Sequence, residues 1–155
     1  MKKCISILVL LIIMCMPTLA GSKNKVLKQY DVALTEAAKE DCRRYCGDTI
    51  DRVGYYDNFT YDSVEKIYSV RIILLEEFCE TDLIDKETLR NELLEHLSRQ
   101  EMLPFLGAMH TVGGSIVYEY VGNITKHSFS IHIQWVDINR IYDPFRLNKG
   151  GKSSK

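Results

Sequence analysis

The sequence predicts an α+β domain: a small antiparallel sheet of three to four strands, a central Leu-rich helix packed on one face of it, and an N-terminal amphipathic helix. Three observations carry this. Two segments repeat apolar residues at three- and four-residue steps, as a helix with one buried face does. One later segment alternates apolar and polar residues, as a strand with one dry face does. The chain has 155 residues, a length that suits one domain with a sizeable core.

Residues 1–20 are read as a signal peptide. Lys2 and Lys3 precede the unbroken apolar run Cys4 to Met16, Pro17 breaks it, and Thr18-Leu19-Ala20 ends in a small residue. That is the export pattern, with cleavage after Ala20, and the run is shorter than the roughly 20 apolar residues a spanning helix needs. A lipid anchor at Cys15 is the rival, disfavoured by Met14 where lipoprotein processing wants a small residue. No later segment is apolar enough to span a bilayer, so the mature chain is expected to carry no transmembrane segment and to be periplasmic, cell-surface or secreted. Removing Lys2 and Lys3 from the 20 basic side chains leaves 18 against 21 acidic ones, a net charge of −3. So mild a balance argues against nucleic-acid binding, which needs a concentrated basic footprint. The domain is placed at residues 21–147, and 148–155 (NKGGKSSK) as a disordered basic tail with nothing to bury.

Val26 to Cys46 reads as the first helix. Leu27, Tyr30, Leu34, Ala37 or Ala38, Cys42 and Tyr45 form its stripe, and Gly47 is placed for a left-handed stop. Asp48 to Ser63 is rich in turn residues and aromatics; Ile50 to Tyr56 is read as a short strand and Asp57-Asn58 as a turn. Val64 to Leu75 mixes signals. Asp62 with Glu65 imitates a helix start, but Val64, Ile67, Val70, Ile72 and Ile73 are β-branched. The strand reading is preferred, with Val64, Tyr68, Val70, Ile72 and Leu74 on one face.

Asp85 to Gln100 is the clearest helix, with Asp85 as cap and Leu89, Leu93, Leu94 and Leu97 as its buried stripe. Pro104, Gly107 and Gly113-Gly114 are read as breaks. Ser115 to Val136 reads as a hairpin turning at Gly122-Asn123, which sets Val121 opposite Ile124 and Glu119 opposite Lys126. Ile116, Tyr118, Tyr120, His127, Phe129, Ile131, Ile133 and Trp135 then share the dry face; Glu119, Lys126, Ser128, Ser130, His132 and Gln134 take the wet one. Over roughly residues 40 to 136, Asp51-Arg52-Val53, Tyr68 to Leu74 and the pairing of the Leu-rich helix with Gly113 to Tyr120 together resemble a loose class of small exported bacterial proteins without assigned activity. The resemblance implies a fold and no chemistry.

Export reaches an oxidising space, so Cys42, Cys46 and Cys79 are disulfide candidates. Three is odd, so one thiol stays free or pairs between chains, or all stay reduced. On a regular helix Cys42 and Cys46 would lie about 6 Å apart at Cα, inside the permitted range, but with Cβ directions that fit poorly. A link from Cys79 to either would close a loop of about 35 residues and stabilise by about 3–4 kcal/mol. Both helical cysteines are expected to face the interior, with at most one bonded to Cys79. Arg43 and Arg44 could favour a thiolate. A metal site is not expected, since zinc wants four converging ligands. His96, His110, His127 and His132 do not converge. There is no phosphate loop, nucleophile elbow or metalloprotease helix, so no catalytic residue and no cofactor is assigned.

Tyr55, Tyr56, Phe59 and Tyr61 form the best candidate binding surface, since tyrosine joins contact area to a polar tip. The reading is thus an exported, non-catalytic binding or cell-envelope accessory domain whose partner is a protein, peptide or glycan, and it leans away from an enzyme. The alternatives are a thiol-dependent redox protein using Cys42 or Cys46 and an unrecognised hydrolase around His110.

Overall fold

The computed structural model describes residues 23–50, 53–75, 85–124 and 126–142. The leader, Cys79 and the basic tail lie outside them. In chain order the elements are α1 (Lys23–Tyr45), β1 (Thr49–Ile50), β2 (Gly54–Asp62), β3 (Ile67–Leu74), α2 (Lys86–Leu97), a 3-10 turn (Gln100–Met102), α3 (Leu103–Val112), β4 (Ser115–Gly122), β5 (Ser128–Ile133) and α4 (Trp135–Ile141).

The α+β class stands, but the sheet has five strands in the order β1-β2-β3-β4-β5 and is mixed rather than antiparallel. β3 and β4 run parallel, with Tyr68 beside Ile116 and Ile72 beside Tyr120. A parallel pair needs a crossover of a dozen or more residues, and the stretch containing α2 and α3 supplies it. At the end of β3 Ile72, Ile73 and Leu74 are all buried, whereas Arg71 before them is exposed, so along most of its length the strand is covered on one face only.

One sheet face carries Phe59, Tyr68, Val70, Ile72, Ile116, Tyr118, Tyr120, Ile131 and Ile133, all buried in a single core with Leu34 and Ala38 of α1, Leu97 of α2 and Phe105, Leu106 and Met109 of α3. The Leu-rich helix is not the central one. α2 lies over β5, where Lys86 Nζ stands 5.2 Å above the Phe129 ring, and only Leu97 of its stripe is fully buried. The helix facing the sheet centre is α3, whose Phe105 meets Tyr68 of β3 edge-on, with ring centroids 4.9 Å apart. Pro104 and Gly107 do not break the chain there. Pro104 sits in the first turn, where no N–H partner is required. Gly107 is small because a Cβ at that position would run into the Tyr142 ring. Gly113, at φ +71°, is the true stop.

Five other expectations change. Asp57-Asn58 is a bulge inside β2, not a turn, with the register to β3 shifting between Tyr56 and Asn58. Val64 is in the β2–β3 turn and 82% exposed; Asp62 Oδ1 accepts from the backbone N–H groups of Val64 and Glu65, so the apparent helix start is an Asx turn. The β4–β5 connection is longer than two residues, and Glu119 faces Ser130 instead of Lys126. That slip of four is even, so the division into a dry and a wet face survives it. The strand ends at Ile133, and Trp135 opens α4, with Gln134 and Asp137 forming a reciprocal cap. His127, also placed on the dry face, lies before β5 and is exposed.

Asp85 caps α2 as expected, accepting from the Glu87 N–H at 3.0 Å. Asp85→Ala is expected to lower stability by about 1 kcal/mol, read by urea unfolding. An unchanged midpoint would show that α2 is held by packing alone.

Candidate functional site

Two clusters stand out, one beyond each edge region of the sheet. The first is at the carboxy end of α1. The helix ends at Tyr45, so Cys46 lies one residue past its last turn, before Gly47 at φ +91°. The Cys46 N–H still donates to the Cys42 carbonyl at 3.0 Å, so the two side chains stay one turn apart on the same face. Cys42 Sγ and Cys46 Sγ approach to 2.7 Å, both as free thiols and both half-buried. That is only about 0.7 Å longer than a disulfide of roughly 2.05 Å. Cys42 Sγ is also 3.7 Å from Asn58 Oδ1 of the β2 bulge. Burial, then the neighbouring Cys42 and the Asp57 carboxylate, push the Cys46 thiol up to about 12. Arg43 and Arg44 point away from the sulfurs, toward Glu40.

The expected aromatic surface divides. Phe59 is 6% exposed and belongs to the core, because the β2 bulge turns it under α1. Tyr56 packs on Phe59 with centroids 5.4 Å apart, and Tyr45 covers the same ring. The Tyr61 hydroxyl donates to Asp31 Oδ1 at 2.8 Å, and Lys66 Nζ reaches both oxygens of that carboxylate. These contacts pin α1 to the β2–β3 turn. By register Tyr55 lies on the other face, with Ile73 and Arg71. That face is polar: Arg71 Nε stands 3.6 Å from Asp57 and 3.7 Å from Glu119, and Ser130 bonds His132.

The second cluster surrounds Trp135, which strand alternation places on β5 and the structure places at the start of α4. Its indole N–H donates to the His110 carbonyl at 3.1 Å, and its ring stacks on the His110 imidazole with centroids 5.6 Å apart. Tyr142 approaches the other ring at 5.4 Å, and His110 Nε2 lies 2.9 Å from Asn139 Oδ1. Trp135 remains 42% exposed and Val136 52%. The available signal was Gln134 followed three residues later by Asp137, a capping pair directly before the tryptophan. The remaining histidines stay apart: burial lowers the pKa of His96 on α2, and His132 lies on the polar face. Among the described residues no three His, Cys, Asp or Glu side chains gather as metal ligands, and no helix is long and apolar enough to cross a membrane.

Fold and site together define a two-layer α+β domain with a thiol pair beside β2 and a fixed, exposed tryptophan after β5. The same architecture occurs in a Pseudomonas aeruginosa crystal structure described as a "putative secreted protein", with a TM-score of 0.51 and 10% sequence identity, covering 70% of this chain and 96% of that one. At that identity the likeness establishes the fold alone. No family model matches the chain, and neither does any curated protein.

Proposed function

We propose that the protein is an exported, non-catalytic accessory domain of the cell envelope that docks a protein partner on the Trp135 surface. The observation that carries this is the setting of the one tryptophan of the chain. Large aromatic side chains with one polar handle dominate the centres of protein interfaces. Trp135 has its N–H already bonded and its ring already stacked on His110, so burying it costs little further side-chain ordering. Val136 and Tyr142 extend the apolar contact. The leader-like residues 1–20 and the secreted description of the structural neighbour support export.

The test starts from an envelope protein that co-purifies with the exported chain under its native promoter. Trp135→Ala, at unchanged thermal stability, is expected to weaken that complex by about 30-fold, the effect of losing a hot spot of about 2 kcal/mol. Quenching or shifting of Trp135 fluorescence on mixing reports the same contact. If the complex forms equally well with Ala at 135, or depends instead on Tyr55, the docking surface lies elsewhere. A mature protein that still carries residues 1–20 would overturn the export reading.

A further inference from the structure

We propose that Cys42 and Cys46 form a reversible disulfide with each other, making the α1 terminus a dithiol site for an external disulfide donor. This is separate from the docking surface: the pair abuts β2, whereas Trp135 follows β5. Three features carry it. The sulfurs are within 2.7 Å and neither is held by another covalent bond. Cys46 is the first residue after α1, its N–H bonded to the Cys42 carbonyl at 3.0 Å and a left-handed glycine after it, so both thiols sit on one face at the open end of the helix. Neither cysteine is sealed in the core, so a donor can reach the pair.

The exchange balances in two steps. The Cys42 thiol, which lies at the rim against Asn58, loses its proton and attacks one sulfur of the donor disulfide. The donor S–S bond breaks, a mixed disulfide forms on Cys42, and one thiol leaves with the proton. Cys46 then loses its proton and attacks Cys42 Sγ, closing the internal bond and expelling the second thiol. The pair gives up two electrons and two protons, and the donor takes both as two thiols. The raised pKa of Cys46 makes it a poor first nucleophile; as the resolving group it must still lose its proton, and the 2.7 Å approach to Cys42 offsets the small thiolate fraction by proximity. So short a closed loop removes little chain entropy, so the bond reopens readily with dithiol reductant.

Cleavage after Arg43 and Arg44 places the two cysteines on separate tryptic peptides, Glu40–Arg43 and Tyr45–Arg52. The full-length protein is exchanged with glutathione disulfide, alkylated, digested and mapped by mass spectrometry. The expected result is joint loss of both alkylatable thiols, with those two peptides linked and the link lost in dithiothreitol. Cys46→Ser is expected to leave Cys42 trapped as the glutathione adduct, and Cys79→Ser to leave the internal link intact. A predominant link from Cys79 to either peptide, or both thiols still alkylated after exchange, would overturn the proposal.

Discussion

Above about pH 10 the protein is expected to lose stability at about 2.7 kcal/mol per pH unit, the sum for two buried tyrosines at 1.36 kcal/mol each. Tyr68 is 1% exposed and Tyr120 7%. Burial raises both hydroxyl pKa values, and at Tyr68 the Asp41 carboxylate adds to it. In the unfolded chain both return to the ordinary value near 10. The native state therefore keeps two protons that the unfolded state releases. The stabilisation is complete below pH 10 and is lost as pH rises from there through the folded-state values. Tyr61 is shifted the same way, but water reaches it and reduces its share. Urea unfolding at half-unit steps from pH 9 to 11.5 measures the slope. Tyr68→Phe should halve it, while removing the 2.6 Å bond to Asp41 at a cost of about 1–3 kcal/mol at neutral pH. A stability profile that stays level through pH 11.5 would mean that neither hydroxyl is buried as described.

Phe105→Ala should cost about 3–5 kcal/mol, a large part of the roughly 5–15 kcal/mol that holds a domain together. Phe105 is 1% exposed on α3 and packs edge-on against Tyr68, with an interplanar angle of 76°. Truncating it opens a cavity between the crossover helix and the central strand, where β3 and the helices on either side are least able to collapse inward. The expected readout is a lower urea midpoint with an unchanged slope. Thr111→Ala on the exposed side of the same helix should stay within about 0.5 kcal/mol. Equal losses at both positions would place α3 away from the sheet centre. This pair also separates the two candidates for the central helix, because Leu89, Leu93 and Leu94 of α2 are only partly buried and truncating any one of them should cost less.

What each level of the molecule contributed is clearest in the cysteines and the tryptophan. The sequence alone determined the class, most of α1, β3 and α2, the cap at Asp85 and the alternation of β4 and β5, because each depends on periodicity or chemistry within a few residues. The dry face of β5 is equally local, since strand faces repeat every two residues and a register shift of four leaves them unchanged. Tertiary structure decided what local pattern cannot. Gly107 must stay small inside α3 because Tyr142 arrives from 35 positions later. Phe59 is core rather than surface only because the β2 bulge rotates it beneath α1. Parallel pairing of β3 with β4, exposure of Trp135 and the close approach of Cys42 to Cys46 depend on where elements end and on what packs against them. The pairing and the exposure are properties of packing between distant segments, which spacing along the chain does not encode; the cysteine approach is local and is set by side-chain placement at the end of α1.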